Sequence, residues 1–340
     1  MAISRRKFVK IVAGTGGALV ASGTPLAPLA QAQLSTELPP QATGILYDAT
    51  LCVGCKACMS KCKAENNVPG GALYKKGRST PPYEKGNLEA NNGIWDAPRE
   101  LSGDTLNIVK LYKNGNAQVK DRAVNGYAFF KQQCLHCISP ACVSVCPAGA
   151  FRKDPENGAV YYLAERCIGC RYCQLACPFG VPRYEWNSAW PEVRKCQLCR
   201  HRQEKGKMAA CAEACPTGAT IFGKVVELRE EAKRRLALRP GEEYRYPIQV
   251  VGSKDWTVRG AAHYVAQVYG LKEAGGTQNI MLSGISFELL GFKNNIPNYD
   301  LPRLTWAYIS KVLWVFFWVF SAGTATYQIT HRKKDKEGQS

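Results

Sequence analysis

The chain has 340 residues, enough for one large domain or two ordinary ones with ample material for a hydrophobic core. Its sixteen cysteines are too sparse for a small disulfide scaffold and too numerous for an ordinary globular protein, which indicates a specific use for them. The net charge of +18 keeps nucleic acid or an anionic membrane surface open as a partner until the cysteines are explained.

Residues 1–32 are predicted to be an export signal, followed by a linker over residues 33–42. Arg5 and Arg6 form a twin-arginine pattern, a weakly apolar, glycine-rich run follows, and residues 30–32 (AQA) are typical of a cleavage site. The twin-arginine translocase is therefore an expected partner. Because this route carries folded proteins, a metal can occupy the thiols in the reducing cytoplasm before they reach an oxidising compartment.

The cysteines fall into four groups of four with none left over. The first and third groups have the spacing C-x2-C-x2-C-x3-C of bacterial ferredoxins, in which three close thiolates hold one cluster and the fourth binds its neighbour. Small residues such as Gly54 and Gly169 let these loops wrap closely. The groups are Cys52, Cys55, Cys58 and Cys62; Cys134, Cys137, Cys142 and Cys146; Cys167, Cys170, Cys173 and Cys177; and Cys196, Cys199, Cys211 and Cys215.

We interpret the sixteen cysteines as iron ligands of four 4Fe-4S clusters. Only the fourth group has a spacing compatible with a zinc ribbon, and no C-x2-C is followed directly by histidine, which excludes haem of the c type. Disulfides are disfavoured by the spacing and by the signal. Four clusters would add roughly eight negative charges, so much of the basic excess is interpreted as compensation rather than as a nucleic-acid surface.

An internal repeat predicts two copies of a two-cluster unit. CVGCKACMSKC is similar to CIGCRYCQLAC, and ACVSVCPAGA is similar to ACAEACPTGA. The copies differ mainly in the gaps between groups. Spacing alone leaves open whether the second group pairs with the third or the third with the fourth.

The remaining elements are a hairpin and a surface helix. An insert over residues 63–133 contains two β-rich runs, 106–112 and 118–130, on either side of Asn114-Gly115, which predicts a β-hairpin. Residues 224–238 have a helical apolar stripe and are predicted to pack on the cluster domain. The histidines His136, His201 and His263 are interpreted as ordinary surface or hydrogen-bonded side chains.

The C-terminal end is predicted to anchor the chain in a membrane. Residues 312–330 carry no charge and, as a helix, could cross an apolar layer of about 30 Å. Basic residues follow directly, so the positive-inside rule predicts a cytoplasmic C-terminus. The predicted domains are thus a four-cluster domain at 43–222, a C-terminal extension at 223–303, a transmembrane helix at 304–330 and a cytoplasmic tail at 331–340.

With these motifs the chain resembles the four-cluster iron–sulfur subunits of membrane oxidoreductases that handle hydrogen, formate, polysulfide or sulfoxides. More narrowly, it is similar to the electron-transfer subunits of nickel-iron hydrogenases of the hydrogenase-2 type. The similar segments include LYDATLCVGCKAC, NGYAFFKQQCLHC and VYGLKEAGGTQNIMLSG. The resemblance implies an α+β fold with two intertwined bacterial-ferredoxin-like two-cluster units, an inserted β-hairpin and a C-terminal transmembrane helix.

The resemblance also implies nested pairing, the first group with the fourth and the second with the third. Each cluster then takes three cysteines from one group and one from its partner. The implied ligand sets are Cys52, Cys55, Cys58 and Cys215; Cys62, Cys196, Cys199 and Cys211; Cys134, Cys137, Cys142 and Cys177; and Cys146, Cys167, Cys170 and Cys173.

The expected function is electron transfer on the periplasmic side of the bacterial inner membrane, without a catalytic centre in this chain. The expected partners are the small and large subunits of a nickel-iron hydrogenase and an integral membrane quinone-reactive subunit, with no nucleic acid. One alternative gives the same role to a formate dehydrogenase or another molybdenum oxidoreductase, in many of which this subunit lacks its own signal. A different alternative is a zinc-binding regulatory module, which the export signal disfavours.

Overall fold

The computed structural model describes residues 37–67, 100–185 and 192–337, and it describes only the backbone of 305–310, 312–313 and 329–337. The predicted signal, the start of the linker, residues 68–99 of the insert and the end of the tail lie outside the described residues.

The described chain mixes short strands with mostly short helices, which confirms the predicted α and β content. The strands are β1 (Thr43–Asp48), β2 (Asn107–Lys113), β3 (Val119–Lys120), β4 (Gly126–Gln133), β5 (Phe151–Lys153), β6 (Val160–Tyr162), β7 (Arg183–Tyr184), β8 (Val193–Arg194), β9 (Thr220–Lys224), β10 (Glu243–Pro247), β11 (Trp256–Gly260) and β12 (Ile280–Leu282). The helices are α1 (Ala57–Asn66), α2 (Ala141–Ser144), α3 (Tyr172–Ala176), α4 (Arg200–Gln203), α5 (Ala210–Glu213), α6 (Val225–Ala237) and α7 (Leu301–Glu337).

A three-stranded sheet joins three distant parts of the chain. Its central strand β1 pairs antiparallel with β9 and parallel with β12, which comes from the predicted C-terminal extension. Leu46 on β1 packs in a cluster with residues of α6, while Ile45 and Tyr47 face the cysteine-rich core. The side chain of Asn279 accepts a hydrogen bond from the Ile45 N–H at 2.8 Å and donates to the Cys134 carbonyl at 2.8 Å. The sheet is therefore tied directly to a cysteine group.

The hairpin of the insert is present and a turn lies at Asn114-Gly115, where the Ala117 N–H donates to the Asn114 carbonyl at 3.1 Å, but the strand that pairs with β2 does not begin directly after this turn. Strands β2 and β4 pair antiparallel, and the last pair is Lys113 with Tyr127, so residues 114–125 form the connection. Within it, β3 runs parallel to the start of β4. The predicted second strand over residues 118–130 was therefore wrong at its start, because the pairing register leaves its first residues in the connection.

The amphipathic helix predicted over residues 224–238 is confirmed as α6. Val225, Leu228 and Ala232 are buried on one side, and the helix packs on β1 and β9. This face covers the side of the sheet that points away from the cysteines.

Helix α7 covers the segment predicted to cross a membrane. Within the described residues, no helix combines the length and apolar character that a bilayer crossing requires. The predicted transmembrane helix over residues 304–330 is therefore not supported, because in the described part of α7 the unbroken run of large apolar residues ends at Phe320 and Ser321 follows.

A buried ion-pair network joins β1 to α6. Arg235 is fully buried and lies 2.9 Å from Asp48, which is also fully buried, and 2.9 Å from Glu231. The hydroxyl of Tyr264 donates at 2.8 Å to Oδ2 of Asp48, the same oxygen that Arg235 contacts. Because a buried charge is costly without a partner, each member of this network depends on the others.

Replacing Asp48 with asparagine is expected to destabilise the chain by about 3–5 kcal/mol, since Arg235 would keep a buried charge with one partner fewer. Anaerobic calorimetry should show the thermal midpoint falling by roughly 10 °C.

The matched control is Glu230→Gln, which removes an exposed pair with Lys233 at 2.7 Å. Such surface pairs contribute about 0–1 kcal/mol, so the midpoint should stay close to that of the parent protein. Equal effects of the two substitutions would show that the Asp48 network contributes no more to stability than the exposed pair of Glu230 with Lys233.

Candidate metal centre

The first and third cysteine groups share one backbone conformation. Each follows a 3₁₀ turn, Ala49–Leu51 or Ala164–Arg166, and each contains a glycine, Gly54 or Gly169, at φ 72°. Each then enters its helix after a residue in the left-handed region, Lys56 at φ 58° and Arg171 at φ 63°. The repeat seen in the sequence is therefore a repeat of local structure.

The helices that carry the cysteines pack in two nested pairs. Helix α1, with Cys58 and Cys62 of the first group, packs against α5, with Cys211 of the fourth. Helix α2, with Cys142 of the second group, packs against α3, with Cys173 of the third. The first group thus lies beside the fourth, and the second lies beside the third.

We number the four predicted ligand sets from the α1–α5 pair to the α2–α3 pair. Set 1 is Cys52, Cys55, Cys58 and Cys215; set 2 is Cys62, Cys196, Cys199 and Cys211; set 3 is Cys134, Cys137, Cys142 and Cys177; and set 4 is Cys146, Cys167, Cys170 and Cys173. None of the sixteen cysteines forms a disulfide.

Three thiols of set 1 lie close enough to affect one another's ionisation. Burial is the main cause that raises the pKa of Cys58 to about 12; the charge of Lys131 opposes the rise, and the thiolates of Cys52 and Cys215 add to it. Burial also raises the pKa of Cys52, with a further contribution from Cys215, while a hydrogen bond with Tyr47 opposes the rise. The remaining member, Cys55, is exposed.

Set 2 brings one thiol of the first group together with three of the fourth. Burial raises the pKa of Cys62 well above its usual range, and the thiolates of Cys199, Cys196 and Cys211 add to this rise. Burial and Cys211 also raise the pKa of Cys199 to about 11. All four thiols of set 2 therefore share one neighbourhood.

Set 3 brings Cys177 of the third group to the second group. Burial raises the pKa of Cys137 strongly, and the thiolates of Cys177, Cys142 and Cys134 raise it further. The pKa of Cys177 is raised by burial and also by Cys134. The four thiols thus influence one another, although Cys177 is distant in sequence from the other three.

Set 4 brings Cys146 to the third group. Burial is the main cause that raises the pKa of Cys173 to about 12, and the thiolates of Cys146, Cys167 and Cys170 contribute to the rise. The same four cysteines line one cleft beside Phe151. Cys170 is exposed, and among all sixteen cysteines only Cys55 shares that property.

Backbone N–H groups point at several of the sulfur atoms. Such hydrogen bonds favour the thiolate and are one of the means by which proteins set the potential of a cluster. The bonds run from Ala150 to Cys146 (3.2 Å), Gly169 to Cys167 (3.4 Å), Val181 to Cys177 (3.5 Å), Leu198 to Cys196 (3.3 Å) and Thr220 to Cys215 (3.3 Å).

The donor set fits iron–sulfur clusters better than single ions. In the described ranges, no three His, Cys, Asp or Glu side chains converge tightly enough to hold one metal ion. A single zinc ion needs its sulfur ligands at about 2.3 Å from one point, whereas in a cubane each thiolate binds a different iron. Groups of four buried thiols without carboxylate or histidine therefore suit a cluster.

The histidines take no part in these sets. His136 is fully buried, and its Nδ1 accepts a hydrogen bond from the Val160 N–H at 3.0 Å. Burial, together with the charge of Lys195, lowers its pKa. The Nε2 of His201 lies 3.9 Å from Glu65, and His263 is exposed. The predicted ordinary role of His136, as a hydrogen-bonded side chain, is confirmed.

Two buried lysines lie among the thiols, and the sequence reasoning missed them. Lys131 is 0% exposed in β4, and Lys195 is 2% exposed directly before Cys196. The ammonium of Lys195 donates to the carbonyls of Val160 and Cys196. The sequence contained one sign of these buried lysines: each lies in or next to a strand with buried neighbours and shortly before a cysteine group.

Comparisons with known proteins agree with this chemistry. The 4Fe-4S dicluster domain family matches residues 125–225. The chain is 41% identical over 306 residues to the hydrogenase-2 operon protein HybA of Escherichia coli O157:H7, covering 89% of this chain and 84% of that protein. It is 34% identical over 192 residues to the formate dehydrogenase-O iron-sulfur subunit of Escherichia coli K12, covering 56% of each chain.

Gly54→Ala is expected to lower the iron and acid-labile sulfide bound per chain. A Cβ at residue 54 would lie 2.3 Å from the Phe129 ring, and the φ of 72° is strained for alanine. The matched control is Gly169→Ala, which has the same φ but meets only the Tyr184 hydroxyl, at 3.9 Å. An equal loss in both variants would show that backbone strain, rather than contact with Phe129, limits the first loop.

Proposed function

The chain belongs to the family of the hydrogenase-2 operon protein HybA, and from this we propose that it passes electrons from a nickel-iron hydrogenase to a quinone-reducing membrane subunit. It is an iron–sulfur electron-transfer subunit and not the catalytic subunit of its complex. The observation that carries the proposal is the 41% identity to HybA over 89% of this chain, and the sixteen cysteines in four groups of four support it.

Sets 1 to 4 are proposed to hold one 4Fe-4S cluster each. When bound, these clusters supply one-electron oxidation and reduction. The nested packing of α1 with α5 and of α2 with α3 supports this assignment. So does the mutual effect of the thiolates within each set, as in the influence of Cys177 on Cys137.

Contacts between sets support one order along the row. Cys211 of set 2 raises the pKa of Cys58 in set 1, after burial. Cys134 of set 3 likewise adds to the effect of burial on Cys196 of set 2, and Cys173 of set 4 adds to it on Cys142 of set 3. Sets 1 and 4 are thus the ends, and they contain the exposed Cys55 and Cys170. Electrons would enter at one end and leave at the other.

The chain's own residues protect and tune the row. Cys62, Cys199 and Cys211 of set 2 and Cys134 of set 3 are buried, so water has little access to the interior sets. Backbone N–H groups and the ammonium groups of two lysines provide positive charge near the sulfur atoms. Positive charge near a cluster stabilises its reduced form, because reduction adds negative charge.

Similarity favours a hydrogenase over a formate dehydrogenase as the electron donor. The match to HybA covers 89% of this chain, whereas the match to the formate dehydrogenase-O subunit covers 56%. The predicted signal on this chain favours the same choice. Formate dehydrogenase or another molybdenum enzyme is the second candidate, since its iron–sulfur subunits share the cysteine-rich part.

We also propose that the chain works on the periplasmic face of the inner membrane, after export by the twin-arginine translocase. Arg5 and Arg6, in a twin-arginine pattern, support the export route. The exposed apolar side chains of α7, among them Trp314 and Phe320, also support contact with an apolar partner.

The function is tested with anaerobic membranes from cells that contain or lack the chain. Hydrogen is expected to reduce the clusters of this chain and to drive quinone reduction only when the chain is present. Arg5→Lys combined with Arg6→Lys should leave the chain in the cytoplasmic fraction and abolish hydrogen-dependent quinone reduction. Reduction by formate and not by hydrogen would contradict the proposed donor.

The proposed ligand sets predict which cysteine substitutions act on the same cluster. Cys62→Ser and Cys199→Ser should remove the same signal in electron paramagnetic resonance spectra of the reduced protein. Cys55→Ser and Cys215→Ser should remove another. Loss of one common signal in Cys62→Ser and Cys55→Ser would contradict the nested assignment.

A further inference from the structure

One face of the β2–β4 pair is buried at the end that includes Asn107 and Gln133, although it carries three polar side chains there. The register pairs Asn107 with Gln133 and Val109 with Lys131, and residues paired in this way share a face of the strands. All four are at most 4% exposed. A lysine on such a face requires a specific counter-charge, since burying an unpaired ammonium is costly.

Helix α1 covers this face. The side-chain amide of Asn107 donates to the Cys58 carbonyl at 3.4 Å, and the Val109 N–H donates to the Met59 sulfur at 3.2 Å. Cys58 and Cys62 are one turn apart on α1, so both lie on the side of the helix near these strands.

Helix α5 packs against α1 and adds two more thiols to the same place. Cys211 lies on α5, and Cys215 follows it. The neighbourhood of Lys131 therefore contains Cys58 and Cys215 of set 1 and Cys62 and Cys211 of set 2.

The ammonium of Lys131 has no other partner in the described part of the chain. Its Nζ is buried and forms no hydrogen bond there, and no described carboxylate pairs with it. Burial lowers the pKa of Lys131, but the thiolates of Cys211, Cys58, Cys62 and Cys215 raise it by more. Anionic sulfur is thus the counter-charge of this lysine.

We propose that Lys131 raises the reduction potentials of the two clusters held by sets 1 and 2. This inference rests on the proposed function, because it takes the four-cluster assignment as given. A fixed cation stabilises the reduced state of a cluster, in which one electron has been added. Since thiolates of both sets act on Lys131, one charge acts on both clusters, and no cysteine of sets 3 or 4 is among its main electrostatic partners.

The test is an anaerobic potentiometric titration of the purified full-length chain with chemical mediators, followed by electron paramagnetic resonance. In Lys131→Met, two of the four cluster couples should shift to lower potential. At a fixed ambient potential, the ratio of reduced to oxidised cluster should fall at least tenfold, which corresponds to about 59 mV for a one-electron couple. The other two couples should keep their potentials.

Two control variants separate charge from shape and position. Lys131→Arg keeps the positive charge and should keep the two potentials within a few-fold in the reduced-to-oxidised ratio. Lys113→Met removes an exposed charge from the end of β2 and should change none of the four couples. Parent potentials in an iron-replete Lys131→Met protein, or an equal shift in Lys131→Arg, would overturn the proposal.

A second substitution applies if Lys131→Met does not assemble its clusters. Asn107→Asp has nearly the same shape and places a carboxylate on the buried face that carries Lys131. The same two couples should then fall in potential, and unchanged couples would overturn the proposal. Mediators reduce the clusters directly, so a failure of hydrogen to reduce them would count against the proposed donor and not against Lys131.

Discussion

Gathering sixteen sulfur atoms, most of them partly or fully buried, is the constraint on which the rest of this structure depends. Burial is the first cause of the raised pKa of every cysteine whose shift is resolved, from Cys52 to Cys199. Neighbouring thiolates raise most of these pKa values further, so the sets oppose their own ionisation until positive charge is supplied. Iron supplies it when bound, because a thiol must lose its proton to become a ligand. Folding and metal insertion are therefore coupled in this chain.

The nested packing of α1 with α5 explains why the ends of the cysteine-rich region must be held together. The first and fourth groups are far apart in sequence, and bringing them together costs chain entropy that grows only slowly with loop length. Strand β1 leads into the first group, and β9 follows the fourth, and the two strands pair antiparallel. The buried pair of Asp48 with Arg235 then fastens this junction to α6.

Local features of the fold could be predicted from the sequence, and long-range ones could not. The cysteine spacing predicted loops that the structure repeats down to the φ of Gly54 and Gly169, and the apolar stripe predicted α6. Asn114-Gly115 suggested a tight turn, but the register of β2 with β4 moved the connection to residues 114–125. The spacing of the cysteines left the pairing of groups open, because it is helix packing between distant segments that brings them together. A membrane crossing was expected from an uncharged run, yet large apolar side chains occupy only part of the described helix.

The buried cations form two classes that differ in their partners. One class stabilises the fold by pairing with carboxylates, and the other places positive charge near the sulfur atoms. Arg235 pairs with Asp48, Arg194 lies 3.0 Å from Glu185, and Arg202 lies 2.8 Å from both Glu65 and Glu213. Each arginine thus neutralises carboxylates and leaves little net field. Lys131 and Lys195 have no such carboxylate among the described residues, so their charge remains available to the sulfur atoms around them. An apoprotein would have to carry this positive charge without its full counter-charge, and the lysines therefore favour the anionic, cluster-bound state over the empty one.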